Sequence, residues 1–407
     1  MVLVCSYVAM LAATAQAQTG TVKAFTGATL IHDAAQAPIQ DATLLVQDGK
    51  VLAAGAAANI RIPAGAERTS LSGKTIIPGL INTHGHVTAP ADLATYAAYG
   101  ITTVLSLGGE PPEVFAARAD QHTPLLNRTR VYLAGPVLTP TSVAEARTQV
   151  ANAAAQHVDI IKIRVDDNLG TTPKMAPEVS RAVIREAHAR GLRVAVHLYY
   201  LDDARDLLAS GADLIAHSVR DQSADEAFTQ ALRASGACYT PTLMREVSTF
   251  VYESTPAFLS DSLFLTHANA QWVAAVKEPA RQQALRNSIS AQTYKAQLPV
   301  AQRNLKRLFD AGVPVVMGTD TGPMGRFQGY FELMEIEMMV DAGLTPAQAL
   351  VASTRDAARC LKVDNELGTL ERGKYADFLV LDASPLERIS NIRRIHSVWI
   401  AGNRVPR

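Results

Sequence analysis

The sequence predicts an α/β fold: a (β/α)8 TIM barrel over residues 76–365, flanked by a small sheet domain drawn from both chain ends, residues 18–75 and 366–407. Three observations predict it. Eight apolar, strand-type runs alternate with helix-type stretches through the middle of the chain, which is the arithmetic of a barrel with right-handed crossovers. Gly191, Gly211, Gly236 and Gly312 each close a helical stretch just before the next strand. Ligand-type residues recur at the ends of those strands, and a barrel gathers strand ends from distant parts of the sequence at one mouth. An open doubly wound sheet has the same local texture and is the alternative, but it would not bring the first and last strand ends together.

A chain of 407 residues can hold one large domain and a small one. Lys+Arg and Asp+Glu both number 38, so the formal net charge is zero and nothing electrostatic argues for nucleic acid or an anionic membrane as partner. Hydrophobic content of 48% suits a globular α/β protein. Three cysteines imply no disulfide framework; Cys5 lies in the N-terminal segment, and Cys238 and Cys360 sit in apolar contexts typical of free buried thiols.

In chain order, residues 1–17 resemble a secretory signal peptide: residues 2–13 are largely apolar, and Ala15-Gln16-Ala17 is a small-x-small cleavage site. The segment lacks a basic start, because the first Lys or Arg is Lys23. With a signal the protein is exported, to the periplasm or outside the cell; without one it is cytoplasmic. No stretch is long and apolar enough to span a membrane, so stable membrane insertion is not expected. Residues 22–26, 43–46 and 51–53 are short β-type runs, with Asp48-Gly49 as a hairpin signal. The other chain end, from Gly368 through Asp377 to 395–400, has the same texture, so the two ends either combine in one small sheet domain or form independent edge extensions.

Between them, strands are predicted at 76–82, 100–107, 130–134, 158–164, 193–198, 212–217, 238–242 and 313–319. Helices are predicted around 91–99, 112–120, 142–156, 177–190, 202–210, 223–235, 328–342 and 346–360, the last opened by Thr345-Pro346. The one irregular connection, 244–312 after the seventh strand, is where substrate selection is expected.

The stretch with most chemistry is Thr75-Ile-Ile-Pro-Gly-Leu-Ile-Asn-Thr-His84-Gly-His86. Residues i and i+2 of a strand point to one side, so His84 and His86 can offer two imidazoles to one metal ion; an isolated His-x-His is also an ordinary core or surface pair. Lys162 lies inside Asp159-Ile-Ile-Lys-Ile-Arg-Val, where a buried ammonium would be costly. Burial lowers a lysine pKa, and a neutral amine can capture CO₂ as a carbamate whose two oxygens suit a metal bridge. The plain alternative is a lysine that snorkels out between strand and helix. His197 and His217 are single histidines closing apolar runs, either satisfied core residues or zinc ligands. Asp320, in Met-Gly-Thr-Asp-Thr-Gly-Pro, is either a turn cap or a metal ligand that also takes a proton from a nucleophilic water. These six residues fall at or near predicted strand ends.

Those residues, with Gly318-Thr-Asp320 and Gly373-Lys-Tyr-Ala-Asp-Phe-Leu-Val-Leu, resemble the amidohydrolase superfamily in its imidazolonepropionase-like and prolidase-like branch, over nearly the whole chain after residue 17. The resemblance implies a binuclear metal centre, usually zinc, with His84, His86 and Asp320 on one ion, His197 and His217 on the other, and carboxylated Lys162 bridging. It also implies that the chain ends build a β-sandwich. Two departures stand out. Asn82 occupies a position where many relatives have Asp, and the 133–141 region lacks the Thr-Gly-Gly-His stretch of relatives that cleave dipeptides.

The expected function is a metal-dependent hydrolase of carbon–nitrogen bonds in a small-molecule substrate, with N-acyl amino acids, peptide-like amides or cyclic amides as the classes. Attack would come from metal-bound hydroxide, with Asp320 as the base that then protonates the leaving amine. An esterase or lactonase using the same site is the alternative, and a non-catalytic binding protein is a third reading that the full set of ligands disfavours. Homo-oligomerisation is left open. Tyr199, on the same face as His197, is a candidate oxyanion donor, and Arg220 and Arg245 are candidates to pair with a substrate carboxylate; rim packing and solvated loops are the plain alternatives.

Overall fold

The computed structural model describes residues 20–406. The N-terminal signal, Cys5 and the first two residues of the expected sheet domain lie outside the described residues.

The first predicted strand is in fact two. Thr75–Pro78 pairs antiparallel with Phe378–Leu381, whereas Leu80–Gly85 pairs parallel with Ile101–Ser106. Gly79 makes the switch: a Cβ there would lie 2.0 Å from Thr102 Oγ1, so only glycine lets the chain pass so close to the neighbouring strand. One apolar run therefore serves two sheets.

One sheet draws strands from both chain ends. Its hydrogen-bonded order is Asn403–Arg404, Ile395–Ile400, Phe378–Leu381, Thr75–Pro78, Lys23–Leu30, Ile39–Gln47 and Lys50–Ala56, with Glu67–Ser70 also pairing Lys23–Leu30. The two facing sheets of a β-sandwich are not what the hydrogen bonds draw: the eight strands are joined in one sheet. Lys23–Leu30 makes this possible by pairing with three other strands. Phe25, Phe378 and Trp399 fill its core, with ring centroids 4.7–5.8 Å apart. A buried ion pair, Arg130 Nε to Asp377 Oδ2 at 2.8 Å, ties this sheet to the barrel.

The central region is TIM-barrel-like, with parallel strands alternating with helices. Leu80–Gly85, Ile101–Ser106 and Arg130–Leu133 form one sheet; Val137–Leu138, Ile160–Arg164, Arg193–His197, Leu214–Ala216 and Cys238–Thr240 form the other. A single closed eight-stranded ladder is not present among the described residues. At one seam the Asp159 amide donates to the Leu133 carbonyl. At the other, the predicted strand 313–319 is an irregular connector: Val316 N donates to Tyr239 O, Thr83 N to Met317 O and Thr319 N to His84 O. It thus lies between the first and last strands, bonded to both, and brings their ends together.

Helices such as Pro90–Ala98, Pro177–His188, Glu226–Ser235 and Tyr330–Asp341 cover the strands. In Pro177–His188 the buried Val179, Ala182, Val183 and Ala187 trace the inward face expected of a 3.6-residue period. The final predicted helix divides into Pro346–Ala352 and Arg355–Leu361. The long insertion is helical, ending in the 22-residue helix Ile289–Asp310. Cys238 and Cys360 are not free thiols: they form a disulfide that joins strand to final helix, with Cα atoms 6.1 Å apart.

Candidate metal centre

His84 and His86 leave the end of Leu80–Gly85 where the irregular 313–321 segment runs alongside. The approach is close: Asp320 N donates to His84 O at 2.6 Å, and a Cβ on Gly318 would lie 2.3 Å from Thr240 Cγ2. This places Asp320 Oδ1 2.8 Å from His86 Nε2 and 3.3 Å from His84 Nε2. The three residues offer ligand atoms within 4.8 Å of one another, so the group could hold a metal ion.

The other two histidines join the same cluster. The His217 ring centroid is 4.6 Å from that of His84 and 4.2 Å from that of His197. Lys162 is buried beneath them on Ile160–Arg164, and its Nζ has no hydrogen-bond partner. His84 Nδ1 and His217 Nε2 are likewise buried and unpartnered. Three orphaned nitrogen atoms in one buried cluster are what a metal-binding group needs, since unpaired polar atoms are costly in a protein interior. The backbone bears strain at the same place: His217 and Asp320 have φ of 112° and 60°, a region that side chains other than glycine rarely adopt.

Electrostatics favour ligand forms of these groups. Burial holds His84 and His217 well below the usual histidine range and His197 at about 4, so all three imidazoles are neutral at pH 7 with a lone pair to give. Burial, opposed by the carboxylates of Asp320 and Asp166, brings Lys162 down to about 7, so a substantial share is the neutral amine. Burial alone would raise Asp320, but the Arg326 guanidinium and His84 outweigh it and hold it well below the usual carboxylate range.

The orientation of each group is fixed by neighbours. His86 Nδ1 lies 3.0 Å from the Gly108 carbonyl, and His217 Nδ1 is 2.8 Å from Thr242 Oγ1. The Asn82 carbonyl oxygen accepts from His84 N at 2.9 Å while its amide donates to the buried Glu332 at 2.7 Å. Asn82 therefore acts as a bridge under the cluster and brings no charge of its own.

The three expected substrate contacts sit together but are engaged with the protein. Tyr199 gives its hydroxyl to Gln297 of the long helix. Arg220 is fully buried, 3.0 Å from Glu246 Oε2 and 4.6 Å above the Tyr199 ring, so it is neither a solvated loop residue nor open to a ligand. Arg245 is 7% exposed, 3.2 Å from the same Glu246 oxygen and 4.5 Å above the Tyr294 ring.

Sequence reasoning did not find Arg326, which binds Asp320 Oδ2, or Asp166, whose Oδ2 lies 3.3 Å from His197 Nε2. It also missed Glu110, a half-buried carboxylate accepting from Gly108 N and Gly135 N at 2.8 Å and thereby bracing the loop that holds His86. The available signal was proximity: Asp166 follows Lys162 by four residues and Arg326 follows Asp320 by six.

Comparison with known proteins gives a consistent result. The family model described as Amidohydrolase family matches residues 75–405. Imidazolonepropionase of Streptomyces coelicolor is 24% identical over 397 residues, covering 90% of this chain and 92% of the relative, and that of Deinococcus radiodurans is 25% identical over 401 residues, covering 89% and 92%. Among solved structures, a proposed prolidase from Bifidobacterium longum superimposes with a TM-score of 0.77 at 27% identity, covering 95% of each chain. A Xaa-Pro dipeptidase with bound methionine gives 0.74 at 18% identity, covering 94% of this chain and 99% of that one, a likeness of fold.

Proposed function

We propose a specific reaction for this chain, which belongs to the amidohydrolase family and is an enzyme hydrolysing carbon–nitrogen bonds: cleavage of an amide in a small molecule of the N-acyl amino acid, peptide-like or cyclic amide class. The observation that carries the reading is the single buried cluster of His84, His86, Lys162, His197, His217 and Asp320, with three nitrogen atoms that no protein group satisfies.

Members of this family use metal ions, and the donor set here fits them. Two divalent ions, zinc by the imidazole-rich chemistry, would be held by His84, His86 and Asp320 and by His197 and His217, with a carbamate on Lys162 between them; they would supply an activated water at neutral pH and polarise the scissile carbonyl.

The chain's own residues do the rest. Asp320 stays ionised under Arg326 and His84, so one carboxylate oxygen can accept the proton released on attack and return it to the leaving nitrogen. Arg326 holds Oδ2, which leaves Oδ1 facing the two histidines. Neutral Lys162 amine is the form that captures CO₂, and burial lowers its pKa toward that form. Among the described residues no helix is long and apolar enough to cross a membrane. Export is the compartment we favour, supported by the 1–17 segment and by the Cys238–Cys360 disulfide, a bond that persists in oxidising compartments.

The test is metal content together with turnover. Protein prepared without chelator and supplemented with zinc should hold two ions per chain and hydrolyse at least one class in a panel of N-acyl amino acids, dipeptides, lactams, lactones and aryl esters. One ion per chain would remove the binuclear reading. Turnover confined to the lactones and esters would replace the amide assignment.

A further inference from the structure

We propose that a cavity beside Asp166 is an anion subsite of the substrate site, and that Arg164 is the specificity-determining residue that reads a carboxylate there. The inference rests on the amide-hydrolase reading above and narrows it to substrates that carry a free acid group.

The cavity measures ≈ 410 Å³, within the range of small-molecule sites, and is lined by Thr141, Arg164, Asp166, Thr172 and Lys174 among others. It adjoins the ligand cluster through Asp166. One Asp166 oxygen lies 3.3 Å from His197 Nε2 and the other accepts from Arg164 Nε at 3.0 Å. Arg164 itself ends the strand that carries Lys162. The two are two residues apart, so they leave the strand on the same face, about 6.6 Å from each other along it. In the parallel ladder Arg164 is the register partner of His197. Arg164 is therefore one pleat outward from Lys162, level with His197 at the C-terminal end of the strand.

Availability separates Arg164 from the other arginines of the mouth. Arg220 and Arg245 share Glu246, and Arg326 is bound to Asp320. The Arg164 side chain is 40% exposed, and its one ion pair uses Nε. Among the described residues no hydrogen bond engages its two terminal amino groups. A planar fork with free N–H groups, fixed at its base, is suited to a carboxylate. Lys174 lines the same cavity, but its ammonium is 3.0 Å from Asp203 and 3.9 Å from the Tyr200 ring, so it adds positive potential and no open fork. A substrate whose amide lies at the histidine cluster would extend its acid group along the strand direction to Arg164.

The experiment compares matched substrates that differ only in charge: N-acetyl-leucine, N-acetyl-phenylalanine and N-acetyl-methionine against their carboxamides, with zinc-loaded wild type, Arg164→Met and Arg164→Lys. Wild type should favour the acids. Arg164→Met should raise KM for the acids by about tenfold or more, the loss of a charge-assisted bidentate contact, with kcat and the carboxamide values within about twofold. Arg164→Lys should fall between. Wild-type turnover without preference for the acids, or equal losses on acids and amides in Arg164→Met, would overturn the subsite while leaving the hydrolase reading in place. If no member of the wider panel is hydrolysed, the hydrolase reading fails, and titration calorimetry of N-acetyl-leucine and its carboxamide decides the subsite independently. Tighter binding of the acid, lost in Arg164→Met, supports it, and equal binding overturns it.

Discussion

Two buried clusters lie near each other at the strand ends and differ in how they pair their charges. In one, Arg220 and Arg245 approach the same Glu246 oxygen at 3.0 and 3.2 Å and lie over the faces of Tyr199 and Tyr294. Charge is set against charge, and the flat guanidinium faces are covered by rings. In the other, Lys162 Nζ, His84 Nδ1 and His217 Nε2 are buried with nothing to bond, and two of the residues involved in the cluster sit at strained φ. In the first arrangement Arg220 Nε and Nη2, Arg245 Nε and Glu246 Oε1 also lack hydrogen-bond partners, but both guanidinium groups have the Glu246 carboxylate within 3.2 Å. The second holds Lys162 with no ion-pair partner among the described residues, and its unpaired ring nitrogens belong to neutral imidazoles, which is the physical signature of a site that completes itself with something from outside.

The comparison breaks most visibly at Asp320. Asp320→Asn keeps the shape and one carbonyl oxygen but cannot take the proton, so turnover of the zinc-loaded enzyme should fall by about 10³-fold, within the range for general acid–base groups, with KM nearly unchanged. Single-turnover kinetics would check it. A loss below about tenfold would assign the base elsewhere.

Next comes Glu246, where the expected effect is on stability and not on chemistry. Glu246→Gln leaves two buried guanidinium groups facing a neutral amide, and removing one partner from a buried ion cluster costs about 3–5 kcal/mol. The urea midpoint should drop accordingly, while metal content measured under native conditions stays at the wild-type value. Unchanged stability with lost metal would mean that the arginine cluster belongs to the metal site after all.

How much of this was legible in the sequence follows from what each feature depends on. His84 and His86 were readable because a period of two is local, and Lys162 because one charge stands out in an apolar strand. Their company was readable because strand ends converge in a barrel. Gly79 was passed over: its role depends on Thr102 in the next strand, and nothing local marks it. The 313–319 run looked like a strand from its apolar residues, but it forms only an isolated bridge, Val315 with Tyr239, and its Met317 amide goes to Ala352 instead of a strand. The disulfide joins residues 122 apart, and only the fold brings them within reach. Arg164 was hidden by its neighbour: beside a lysine so informative, the next cation along the same face reads as an ordinary strand-end residue.

The smallest effect concerns Lys162 itself and tests whether the unpaired cluster is indeed costly. Burial places this amine at about 7 in the fold against an ordinary lysine value of 10.5. Between those pH values the unfolded chain holds one more proton at this position than the folded chain, so the lysine's contribution to stability rises with pH across that window. Below about pH 7 both states are protonated, and the fold bears the full penalty of a buried ammonium that Asp320 and Asp166 only partly offset. Lys162→Met fills nearly the same volume without charge. In metal-free, CO₂-depleted buffer the variant should therefore be more stable than wild type by about 1–3 kcal/mol at pH 6, the range for replacing buried charge by apolar side chains. The advantage should shrink steadily as pH rises toward 10.5. Arg326 remains on Asp320 in the variant, so loss of the lysine does not strand that carboxylate. Denaturation midpoints at pH 6, 8 and 10 give the result directly. A variant less stable than wild type at pH 6 would mean that the ammonium is well paired in solution, and the contrast between the two clusters would then disappear.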